Sequence, residues 1–289
     1  MFAIIGIVVV LGAVVGGYPM EHGQLKVLLQ PAELIIIGGA GLGTLLIANP
    51  LSTIIRILKG VISVLKGSPY NQAFYLNSLK MLNDLFVMAR KQGLVKREED
   101  LENPSKSQVF SKYPGFLSNH HALAFVCDTL RMAISGGIAA FDLDQMMESD
   151  MDVHHHEASR PVTALSTVAD SLPGLEIVAA VLGVVITMGA LGGPPEEIGH
   201  KVAAALVGTF LGILMCYGFL GPLASNLQKM NDDETDYLRC LRHALIAFVK
   251  GSSTGTGGRV CAPQHPQRPS PRLQAIRGGQ PGRWRQGTG

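Results

Sequence analysis

The chain has 289 residues, of which 47% are hydrophobic and only 16% charged, where a soluble domain carries about 25% charged residues. Its mean hydropathy of +0.27 points to membrane segments. A net charge of +2 gives no support to a nucleic-acid partner, and four scattered cysteines with no CxxC pair suggest reduced structural thiols rather than a disulfide framework.

Residues 1–18 are almost wholly apolar, with no basic n-region and no small-residue cleavage site, so they read as a retained membrane helix rather than a signal peptide. Residues 19–31 form a brief polar turn. Residues 32–51, AELIIIGGAGLGTLLIANPL, make a second span, because a hydrocarbon core of ~30 Å takes roughly 20 helical residues. The GGAGLG run inside it follows no strand, so close helix packing explains it better than a phosphate loop.

From residue 52 to 169 the composition changes and Lys and Arg become frequent, among them Arg56, Lys59, Lys66, Arg90 and Lys91. The short loops hold only Lys26 and Lys201. The positive-inside rule therefore puts residues 52–169 in the cytoplasm, with both termini on the same side. Apolar residues at helical spacing predict helices over 71–92, 118–135 and 141–159, with Gly93 and Gly136 as stops, and no alternating strand pattern is present.

Two further spans follow at residues 171–191 and 202–222, joined by a polar loop at 192–201. Residues 223–253 read as a cytoplasmic helix. Residues 254–289 are rich in Gly, Pro, Arg and Gln and are predicted to be disordered, since they bury too little to offset ordering entropy. The fold class is thus an all-α integral membrane protein, with four transmembrane helices and a large helical cytoplasmic domain between the second and third.

The third and fourth spans lack a central carboxylate, although an ion path across lipid normally needs an ionisable group. A partner chain would then supply it. Pro173 and Pro222 stand at the inner ends of these spans, and each removes a backbone donor; a hinge, a fixed kink or simple termination all fit. The Thr209 hydroxyl either bonds its own backbone or faces a partner. Glu176 lies about one turn inside Pro173, where a carboxylate must snorkel, pair or line water. His154, His155 and His156 splay by about 100° each on a helix, which favours a solvated face over a metal site. No nucleophile–base pair or phosphate motif argues for an enzyme.

Several stretches carry a resemblance: QPAELIIIGGAG at 30–41, ARKQGLVKREEDLENP at 89–104, DSLPG.EIVAAVLGVV from 170, and LVGTFLGIL.CYGFLGPLA at 206–224. Over residues 1 to about 253 the chain resembles the MotA/TolQ/ExbB family, and within it the MotA-type stator subunits of the bacterial flagellar motor. The resemblance implies an inner-membrane stator that converts ion flow into torque. It implies a pentameric ring around a MotB-like B subunit carrying the ion-binding aspartate. Arg90 and Glu98 match the charged pair that faces the rotor switch protein FliG, although on sequence alone both read as an ordinary solvated face.

Within the resemblance, Pro173 and Pro222 match prolines tied to conformational coupling, and Thr209 faces the B helices. Sodium-type relatives place a threonine where this chain has Gly183-Val184-Val185, so the coupling ion is expected to be the proton, with no other cofactor. Glu176 and the text after Thr254 depart from the pattern; a local frameshift in the coding sequence would produce such a tail. The competing expectations are a TolQ/ExbB-like energiser of outer-membrane processes and a small channel acting alone.

Overall fold

In hydrocarbon every backbone N–H and C=O needs an internal partner, and a helix satisfies them within one segment. The computed structural model describes residues 2–23, 25–93, 98–136 and 138–251, and among these there is no strand. The first helix, α1, spans Phe2–Met20 and buries none of its residues, so this wholly apolar rod is made to lie against lipid or another chain. A single turn, α2 (Leu25–Leu28), leads to α3 (Pro31–Ala48).

The second span, expected to run to residue 51, ends at Ala48. Asn49 is extended (φ −134°), as a residue before proline is driven to be, and a new helix, α4 (Leu51–Lys66), starts beyond Pro50. This helix is amphipathic: Ile57 and Val64 are buried while Ile55, Leu58 and Ile62 are exposed.

Between α4 and the third span lie α5 (Gln72–Gln92), α6 (Glu98–Glu102), two 3₁₀ turns, α7 (Pro114–Leu117) and α8 (His120–Ser135). Side-chain caps fix the starts of the longer two. Asn71 Oδ1 accepts from Phe74 N at 2.9 Å, and Asn119 Oδ1 accepts from Ala122 N at 3.1 Å. The stops are glycines at positive φ, Gly93 (86°) and Gly136 (63°), which side chains avoid.

The third span sits at the end of a 49-residue helix, α9 (Ala140–Met188), which runs without a break through Pro161 and Pro173. The fourth begins with α10 (Pro195–Ile213), passes through a π-helical segment (Leu214–Leu220) and continues as α11 (Gly221–Val249). The polar loop is accordingly shorter than expected, since α10 has already started at Pro195.

The halves of α9 and α11 beyond the spans pack with α5 and α8 around the main core, where Met81, Leu85, Val126, Leu143, Tyr237 and Leu241 are fully or almost fully buried. Tyr237 donates to Ser78 Oγ at 2.7 Å, and Arg242 ties α11 to α9 through Asp144 (2.6 Å) and Glu148 (3.1 Å). Cys127, Cys216 and Cys240 are buried.

The three histidines differ from the expected solvated face. His154 is half-buried, 3.5 Å from Glu234 and with its ring 3.4 Å centroid to centroid from that of His121. His155 Nδ1 lies 2.9 Å from Thr235 Oγ1, and only His156 is exposed. The packing of α11 and α8 onto this turn of α9, a tertiary fact, puts the first two indoors.

Candidate functional site

The seam between α9 and α10 is built on small residues. Side-chain-free positions let two helix backbones approach in a membrane, where no hydrophobic force pulls them together. A Cβ added at Gly183 would stand 2.7 Å from Ala205 Cβ, and one at Gly212 would stand 2.5 Å from Glu176 Cβ. These two contacts put the antiparallel helices in step, so Gly208 comes level with Ala180, near the middle of the 171–191 span.

Gly208 is also occupied, by a residue the sequence reading passed over. A Cβ there would meet Glu33 Oε2 at 2.7 Å and Glu33 Cδ at 3.0 Å. Glu33 stands in the first turn of α3 and is 7% exposed, and its Oε2 is buried with no hydrogen-bond partner. A second register agrees with its depth: Gly41 on α3 packs against Leu172, and eight residues back Glu33 again comes level with Ala180. At the start of a predicted span Glu33 looks interfacial. Only the packing of α3 against α9 and α10 shows that it lies deep.

Glu176 is 5% exposed and does not snorkel. Its side chain fills the notch above Gly212, with Oε2 2.9 Å from the position of the missing Cβ. Gly208 and Gly212 are one helical turn, about 6 Å, apart on α10. The seam therefore holds two buried carboxyls from two helices on consecutive glycine notches. On insertion scales a charged side chain at mid-span costs about 2.5–3.5 kcal/mol, so Glu33 is not a neutral ornament.

The other expected residues separate into two groups. Pro173 lies in α9 one turn from Glu176, and its missing N–H leaves the carbonyl of Ala169 without its helical donor. Thr209 follows Gly208, so its side chain projects about 100° round α10 from the Glu33 notch and is partly buried. Pro222 stands in the first turn of α11, directly after the π segment, where Gly221 N–H donates to Cys216 O, five residues back. The widened turn accommodates a proline ring that would press on the Gly218 carbonyl in a regular α-helix.

Arg90 is remote from the seam in sequence and element. It is exposed in the last turn of α5, where a cation complements the helix dipole. Glu98 begins α6, but its side chain lies outside the described residues, as do residues 254–289.

Residues 4–93 match the motility protein A N-terminal family, and residues 118–239 match the MotA/TolQ/ExbB proton channel family. Motility protein A of Salmonella typhimurium is 39% identical over 251 residues, covering 87% of this chain and 85% of that protein. Motility protein A of Escherichia coli is 40% identical over the same shares. This chain belongs to the motility protein A family. Two solved assemblies share its fold: C. jejuni MotAB, with a TM-score of 0.75 at 16% identity over 92% of this chain and 98% of that one, and the Bacillus subtilis flagellar MotAB stator complex, with 0.74 at 20% over 94% and 98%. The motility-type match over residues 4–93 weighs against the TolQ/ExbB-like alternative. For a motility protein A, the seam holds more ionisable groups than the sequence promised.

Proposed function

We infer that this chain is a stator subunit of the bacterial flagellar motor, forming with a MotB-like B subunit a proton-conducting unit that drives swimming and chemotaxis. The near-full-length kinship to motility protein A carries this reading. In this reading the chain is a multi-pass protein of the inner membrane with both termini in the cytoplasm. The Lys- and Arg-rich stretch from 52 to 169 supports that orientation. The helices between the second and third spans then form the cytoplasmic domain, and a pentameric ring of these chains encloses the B helices.

The exposed apolar residues of the hairpin suit such a ring. Ile177, Val181, Val184 and Met188 line α9, and Val202, Leu206, Ile213 and Tyr217 line α10 and the π segment after it. Neighbouring copies, B helices and lipid together would cover them. Co-expression with the B subunit followed by mass measurement of the intact complex tests the ring. Five of these chains around a pair of B subunits supports it, and a one-to-one pair argues against it.

The coupling ion in this reading is the proton. A sodium path needs oxygens to replace the hydration shell. The third span has Gly183-Val184-Val185 at the position where, by the resemblance, sodium-type relatives carry a threonine, so no hydroxyl stands there. Swimming speed is expected to be unchanged when sodium is replaced by potassium. Strict sodium dependence would sink the proton reading.

Arg90, and Glu98 with it, would face FliG on the rotor. Arg90→Glu is expected to cut swimming severely, with recovery when a partner charge on FliG is reversed. Failure of every rotor reversal to restore movement would exclude an electrostatic contact.

A further inference from the structure

Two carboxyls in the seam have no role in a scheme where the B subunit supplies the only ion-binding acid. Glu33 comes from α3 and Glu176 from α9, and both are more than nine-tenths buried. They occupy notches one turn apart on α10, left open by Gly208 and Gly212. Glu33 Oε2 is sealed from solvent and has no hydrogen-bond partner.

Nothing around them neutralises a negative charge. On the membrane halves of the elements packed there the ionisable groups are Lys26 on α2, Asp170 on α9, Glu196, Glu197, His200, Lys201 and Tyr217 on the fourth-span helix, and Cys216 beside Ile37 and Ala179. None forms an ion pair or hydrogen bond with either carboxyl among the described residues. Lys201 is paired with Glu197 at 2.8 Å, and Arg56 on α4 with Glu157 at 3.6 Å. A lone carboxylate oxygen in such a place needs a proton, a cation or a donor that the fold does not give it.

We propose that Glu33 and Glu176 form a proton-holding pair inside this subunit, lodged on the Gly208–Gly212 face of α10 beside the ion path. The proposal rests on the stator reading for its place beside that path, but not for its chemistry. Two negative charges on notches one turn apart in low dielectric repel, and the proton is held on Glu33, the carboxyl whose oxygen is sealed without a partner. Protonated Glu33 carries no charge, which removes the large cost of an unpaired carboxylate in the seam. The glycines are then not only packing residues. They make the room that two acidic side chains need to enter a helix seam.

The test is infrared difference spectroscopy of this chain, purified with its B subunit in bilayers, comparing the wild type with Glu33→Gln and Glu176→Gln. Subtraction cancels every other carboxyl, including the partner's aspartate. The expected result is a protonated-carboxyl band at neutral pH that shifts in deuterium oxide, is lost completely in Glu33→Gln, and changes its titration in Glu176→Gln. If no Glu33-dependent band is present at neutral pH, the group is ionised and the proposal is overturned. A band that disappears on adding sodium marks a cation site and overturns it equally. Should Glu33→Gln fail to assemble, the wild-type band must still respond to Glu176→Gln, and an indifferent band is fatal. Because the readout is a spectrum of the complex, it can fail while the strain still swims, and it can succeed in a complex that drives no motor.

Discussion

Gly212→Ala is expected to prevent assembly of the hairpin, and adding Glu176→Gly is expected to restore it. The Cβ that the first substitution introduces would lie 2.5 Å from Glu176 Cβ, where carbon atoms at rest keep roughly 3.5–4.0 Å. The offending atom is fixed to the backbone of α9, so no rotamer change relieves it. The helices must separate, and overpacking of this kind costs about 1–3 kcal/mol in a close-packed interior. Glu176→Ala keeps the clashing Cβ and should not rescue. Glu176→Gly removes it, at about 1 kcal/mol of helix propensity. Recovery of the detergent-solubilised complex across these variants gives the cycle directly. Equal recovery with alanine or glycine at position 176 would show that the seam is not in contact as described.

Pro222→Ala is expected to abolish swimming while leaving the protein in the membrane at normal level. The new N–H at position 222 lets α11 bond to the Gly218 carbonyl and removes the ring that presses on it. The π segment at Leu214–Leu220 can then close to a regular helix. Closing the π turn winds its extra residue into the α-helix and rotates everything before it by about 100° relative to α11. The notches at Gly208 and Gly212 would swing away from Glu33 and Glu176, and the cytoplasmic half of the helix would lose its register with the membrane half. Swimming assays with immunoblots of membrane fractions read both halves of the expectation. Wild-type swimming in Pro222→Ala would mean that the π turn carries no coupling.

Much of the fold was legible because apolar length is a local property. Among the described residues, the four helices long and apolar enough to cross a membrane fall where the hydropathy pattern put them. Helix ends were less legible. At Pro173 the sequence left a hinge, a kink and simple termination open, and α9 runs through it, since neighbouring helices hold in place a segment that has lost one backbone bond. The depth of Glu33 was invisible for a related reason: it opens a predicted span, and only the offset of α3 against α9 and α10 carries it to mid-span. Glu176 was visible as an oddity, but its notch at Gly212 was not, because a contact between residues far apart in the chain leaves no periodic signal. His154 and His155 were misread as solvated for the same reason. The charged neighbours on α9 were visible, and the partners on α8 and α11 were not.

The central claim is that this chain is the torque-generating stator subunit, and motility of a deletion strain tests it most directly. The strain is expected to assemble flagella of normal number and length, to be unable to swim, and to regain swimming when this chain is supplied from a plasmid. Loss of the filaments themselves, or swimming that persists without the gene in a strain carrying no second stator set, would contradict the account.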